Sequence, residues 1–122
     1  MIMKILRSFG YACHGLKYAI ATQTNFRMQL LFAPLAISLG IGLRISTMEW
    51  MILSTCIGIV LFAELVNTAL EKLADVVHKD HHPEIKLVKD ISAAAVLIIA
   101  ISSAVIGAII FLPKIILFIK SI

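Results

Sequence analysis

Glu64, Asn67, Glu71 and Asp75, all within ELVNTALEKLAD at residues 64–75, are the side chains best placed to do chemistry in this sequence. Their separations of three, four and four residues match the pitch of an α-helix, so all four share one side of a continuing helix. Three carboxylates on one stripe repel one another. Near apolar surroundings that repulsion calls for a positive partner, and a divalent metal ion is one. Glu64 follows Trp50–Ala63, a stretch with no charged side chain. A carboxylate in such a setting is poorly hydrated and suits a base that takes a proton from an alcohol. Asp75 reads two ways: as part of the site, or as a solvated acid paired with Lys72 or Lys79.

The segment from His78 to Asp90 adds His78, His81, His82, Lys79, Asp80, Lys86, Lys89 and Asp90. The three histidines lack an obvious fourth ligand for zinc, and a wet loop is the simpler reading. Lys89 beside Asp90 either binds phosphate and positions a nucleotide or marks the membrane interface by snorkelling. Gly10 and Gly15 have the spacing of a phosphate-binding loop, but Leu16 stands where that loop requires lysine. No Ser-His-Asp arrangement or dinucleotide fingerprint occurs. Cys13 and Cys56 fall in different helices and read as small apolar fillers.

The elements that must carry these residues follow from composition. Of 122 residues, 61% are hydrophobic and 15% charged, well below the roughly 25% charged residues of an ordinary soluble domain. No charge occurs from Ile91 to Pro113, a stretch long enough to cross a hydrocarbon core of about 30 Å as a helix. Met28–Leu43 and Trp50–Ala63 are shorter apolar runs that neighbouring turns complete. Ile2, Ile5, Leu6, Phe9, Ala12, Cys13 and Leu16 form one apolar stripe on an otherwise polar helix, which suits a helix lying on the membrane surface. The first 25 residues lack the pattern of a cleavable signal peptide.

These segments predict an all-α membrane protein with an N-terminal amphipathic surface helix over 1–25 and three transmembrane helices. The spans are 28–45, 48–70 continuing to about 77, and 84–112, the last including a surface turn. Ser46-Thr47-Met48-Glu49 is a capping box that starts the second span after a tight hairpin. Pro83 takes the first position of a helix that runs through Lys89 and Asp90 into the third span, and Pro113 closes it. Ala93, Ala100, Ser103, Ala104, Gly107 and Ala108 suit close helix packing and favour an oligomer.

Eight of the 11 Lys and Arg residues flank one side of the spans: Lys4, Arg7, Lys17, Arg27, Lys72, Lys79, Lys86 and Lys89. Arg44, Lys114 and Lys120 lie on the other. That asymmetry places the N-terminus and the loop around 72–90 in the cytoplasm. The net charge of +4 serves membrane anchoring and not nucleic acid, because the basic residues flank apolar runs instead of clustering with aromatics.

ELVNTALEKLAD, His81-His82-Pro83, KDISAAAVL at 89–97 and IIFLPK at 109–114 resemble the prokaryotic diacylglycerol kinase and undecaprenol kinase family. The likeness spans nearly the whole chain and includes Gly10-Tyr11 and Asn25-Phe26-Arg27. It implies a homotrimer in the bacterial inner membrane, with its active site at the cytoplasmic face, that transfers the γ-phosphate of ATP to a lipid hydroxyl using magnesium. It implies Glu64 as the catalytic base, Asn67 beside it, and Glu71 as a metal ligand near the nucleotide. Tyr11, Gln23, Asp80, His82, Lys89 and Asp90 match positions that contact ATP, and Lys17 with Glu64 faces the lipid. Gln23 stands where the family has a second metal-ligating glutamate, and a neutral amide is a weaker ligand for a hard cation. Gln29 stands where some members carry glutamate and others histidine.

Undecaprenol and diacylglycerol both remain open as acceptor, although HHP and IIFLPK look more like the undecaprenol branch. Two other classes compete: a non-catalytic membrane protein, such as a small pore former, and a family member that binds nucleotide without transferring phosphate. The first has no need of Glu64, Asn67 and Glu71 on one stripe. The second is distinguished by metal-dependent ATP binding without turnover.

Overall fold

A computed structural model describes residues 1–79 and 82–121. Its first helix, α1 (Ile2–Thr22), stops at Gln23, whose extended backbone (φ −104°, ψ 109°) separates it from α2 (Thr24–Gly42). Arg27 secures this elbow. Its guanidinium donates to the carbonyls of Ile20 and Ala21 and to Thr24 Oγ1, which satisfies the acceptors left at the end of α1. Phe26 and Ala19 are the most deeply buried side chains, each about 1% exposed, so the elbow is packed as well as capped. The first helix therefore ends at Thr22, three residues before the expected boundary at 25, in a bend of one residue.

The hairpin between α2 and α3 (Thr47–Val77) is built as the sequence signals. Ser46 Oγ accepts from the Glu49 backbone N–H, and a Glu49 carboxylate oxygen accepts from the Ser46 backbone N–H. On the other side, α2 closes with the Ile45 N–H donating to the Gly40 carbonyl and the Arg44 N–H to the Ile41 carbonyl. This is a Schellman closure with Arg44 at φ 51° in the left-handed position usually given to glycine. Gly40 is needed for packing instead. A Cβ there would stand 2.9 Å from the Trp50 ring and 3.0 Å from Ile45 Cδ1. The first apolar helix thus ends at Gly42, three residues short of the expected 45.

Pro83 opens α4 (Pro83–Lys120), capped by His82 Nδ1 accepting from the Glu84 N–H. Lys89 and Asp90 lie on this helix, which runs on from Pro83 into the apolar run. Pro113 does not close it. Proline removes one donor and crowds the carbonyl four residues back, yet α4 continues to Lys120. Lys114, in the turn that follows, pairs with Glu49 at 3.2 Å and ties that stretch of α4 to the α3 cap.

α3 and α4 form the most extensive helix pair. Both are long and apolar enough to cross a membrane, at 31 and 38 residues. At about 1.5 Å per residue each exceeds a hydrocarbon core of about 30 Å, so part of each projects beyond it. The buried cluster of Ile45, Leu53 and Ile110 lies at the hairpin end, away from the acidic stripe. Ala100, Ser103, Ala104 and Gly107 line an apolar cavity of about 350 Å³ with α2 and α3. Phe62, Leu97, Ile98, Ile101 and Ile109 point outward, as befits helices surrounded by lipid.

Candidate active site

The stripe on α3 is graded in burial. Glu64 (2% exposed) and Asn67 (7%) are buried, Glu71 is half-buried and Asp75 is exposed. Acids that would repel one another are thereby separated into different environments and given different partners. Gln29 Nε2 on α2 donates to Glu64 Oε2 at 3.3 Å. Asn67 Nδ2 donates to Glu71 Oε1 at 3.1 Å. Thr68, also buried, donates its hydroxyl to the Glu64 carbonyl one turn back.

Two buried oxygens in this region, Gln29 Oε1 and Asn67 Oδ1, have no hydrogen-bond partner among the described residues. Buried acceptors left unpaired carry a desolvation cost and mark where a donor from outside the chain would fit. An alcohol hydroxyl is such a donor. The site thus offers a buried carboxylate, an amide fixed to a second carboxylate, and open acceptors beside both.

Asp75 pairs with neither Lys72 nor Lys79. Its partner is Lys89 on α4, and this ammonium holds the Asp75 carboxyl below the usual carboxylate range. Asp90, adjacent in sequence, pairs with Lys86 instead. Lys72 sits 5.4 Å from the Tyr18 ring centroid. Contact with the Lys72 ammonium lowers the Tyr18 pKa, and the same contact raises that of Lys72. This contact fastens α1 alongside the C-terminal part of α3.

Other expected contacts are dispersed. Tyr11 and Lys17 are exposed on α1, outside the groove where Ala12, Gly15, Leu16, Tyr18 and Ala19 meet α3. Gln23 lies at the elbow with its Nε2 donating to Thr22 Oγ1. His82 caps α4 and meets the His78 ring with centroids 5.1 Å apart. Asp80, an expected ATP contact, and His81 lie outside the described residues. Among the described residues no group of three or more His, Cys, Asp or Glu side chains could hold a metal ion.

Sequence reasoning left Thr68 out of the site, noted Gln29 only as a position that varies among relatives, and weighed Lys72 only as a partner of Asp75. Thr68 carried a local signal, since it lies four residues after Glu64 where a hydroxyl back-bonds to the helix. The Gln29–Glu64 contact spans 35 residues of sequence and left no pattern to read.

Helices of this length and apolarity, with a buried acid and amide at one end, define a small all-helical membrane protein with a polar site. The family model for prokaryotic diacylglycerol kinase matches residues 10–111. The chain is 37% identical over 111 residues to an undecaprenol kinase of Bacillus subtilis, covering 91% of this chain and 90% of that one. It is 36% identical to a diacylglycerol kinase of Synechocystis over 89% of this chain and 63% of that protein. With a diacylglycerol kinase of Escherichia coli it shares 26% identity over 84% of each chain. The chain belongs to the prokaryotic diacylglycerol kinase family, a family of lipid kinases.

Proposed function

We propose that this protein transfers the γ-phosphate of ATP to the hydroxyl of a membrane lipid, with Glu64 as the base. The observation that carries the assignment is Glu64 itself: a carboxylate 2% exposed, held by Gln29, beside two buried acceptors that have no partner among the described residues. The lipid hydroxyl donates toward this cluster and Glu64 takes its proton as the oxygen attacks phosphorus. Phosphoryl transfer asks mainly for alignment and charge neutralisation, so few protein groups suffice. Asn67 aligns the reacting groups through its bond to Glu71. ATP enters from the cytoplasm over Glu71, Lys89 and Asp90, with Tyr11, Gln23, Asp80 and His82 as further contacts and Lys17 toward the lipid. Undecaprenol is the preferred acceptor because the Bacillus subtilis relative is an undecaprenol kinase matched over nine-tenths of its length.

The donor set fits magnesium brought in with the nucleotide. Glu71 accepts from Asn67 through Oε1 and has a second carboxylate oxygen to offer, and Gln23 offers an amide oxygen. Magnesium is commonly held by one or two carboxylates together with phosphate oxygens. When bound it neutralises the charge of the phosphates. In the same reading α2 also crosses the bilayer, giving three spans, with the site on the cytoplasmic side of the inner membrane and three copies assembled as a homotrimer.

The direct test is Glu64→Gln. Removal of a general base lowers kcat by about 10²–10⁴, while binding of Mg-ATP to the purified variant is expected to stay near that of the parent. Lost ATP binding together with residual turnover would contradict the assignment of Glu64 as the base.

A further inference from the structure

Three lysines surround the cytoplasmic mouth of the site, and each has its own partner. Lys72 is held by Tyr18, Lys86 by Asp90, and Lys89 by Asp75. The last bridge joins α3 to α4 across 14 residues of sequence. Asp75 continues the stripe one turn beyond Glu71, so its carboxylate sits where that stripe opens to the cytoplasm. Asp75 and Lys89 line one polar cleft of about 280 Å³ with His78, Lys79, His82, Ile85 and Lys86.

A lysine ammonium has three N–H donors. Asp75 Oδ1 takes one. Among the described residues no other acceptor meets this ammonium, so two donors can turn to an anion, and the Lys89 side chain is 36% exposed and within reach of solvent. A four-carbon stem that is already held loses less freedom when a ligand binds. We infer that Asp75 is a positioning residue, which holds the Lys89 ammonium at the mouth of the stripe so that its remaining donors meet the phosphates of a nucleoside triphosphate. This rests on the nucleotide role of Lys89 proposed above. An exposed ion pair adds little to folding stability, so its loss is read in function and not in unfolding.

The experiment is steady-state kinetics in mixed micelles, varying ATP and lipid separately. The proteins are the parent, Asp75→Asn, Asp75→Glu, Lys89→Met, and Asp75→Asn combined with Lys89→Met. Asp75→Asn is expected to raise the KM for ATP by roughly three- to tenfold and leave the KM for lipid unchanged. Asp75→Glu recovers most of that loss, and the double variant is no worse than Lys89→Met alone, because Asp75 acts through Lys89. The inference is overturned if Lys89→Met raises the KM for ATP while Asp75→Asn does not, if the two losses multiply in the double variant, or if Asp75→Asn raises both KM values alike. A Lys89→Met enzyme with an unchanged KM for ATP would contradict the nucleotide role of Lys89 itself, and the inference falls with it.

Discussion

Glu64, Asn67, Glu71 and Asp75 show how one helix face can hold three acids near apolar surroundings. Each has a different neighbour: Gln29 for Glu64, Asn67 for Glu71 and Lys89 for Asp75. The stripe itself was legible in the sequence because helical spacing is a local property. Its partners were not. Gln29 and Lys89 are brought in by other helices, and local spacing pointed to Lys72 or Lys79 for Asp75. The proposed metal contact Gln23 is a neutral amide, a weaker ligand for a hard cation than a carboxylate. Gln23→Glu is therefore expected to lower the magnesium concentration for half-maximal activity, on the order of tenfold. Magnesium titration of initial rates checks this, and an unchanged or higher requirement would remove residue 23 from the metal site.

At the scale of elements, the caps and turns account for how the site is positioned. Ser46 and Glu49 form the capping box that their spacing announces, and Pro83 opens α4 as proline commonly opens helices. Pro113 misled the reading. Proline disfavours helix continuation as a local rule, but the structure carries α4 past it, with Lys114 held by Glu49. The Arg44 turn also lacked its usual sign, since glycine is absent from the left-handed position and Gly40 instead makes room for Trp50 and Ile45. Gly40→Ala should destabilise the hairpin by about 1–3 kcal/mol through overpacking. Denaturation in detergent, read by Trp50 fluorescence, measures the change. A variant as stable as the parent would show that Trp50 moves aside without cost.

Across the whole molecule, most large apolar side chains face outward, and the buried cluster is small. Such a chain relies on the bilayer as its solvent, which composition made plain from the start. What composition could not give was the depth of each polar group, since that depends on which faces of α2, α3 and α4 meet. The charge asymmetry predicts residues 72–90 in the cytoplasm and Arg44 outside. With Cys13 and Cys56 replaced, an Arg44→Cys protein should react with a membrane-impermeant thiol reagent on intact cells. A Lys79→Cys protein should react only after permeabilisation, and the reverse pattern would turn the site to the wrong side for ATP. The central claim is phosphate transfer to lipid. The most direct measurement supplies purified protein with γ-labelled ATP and magnesium in mixed micelles containing undecaprenol or diacylglycerol, with Glu64→Gln as control. The account predicts label in the lipid, preferentially undecaprenol, and its loss in the control; folded protein that labels neither lipid, even with Gln23→Glu, would contradict it.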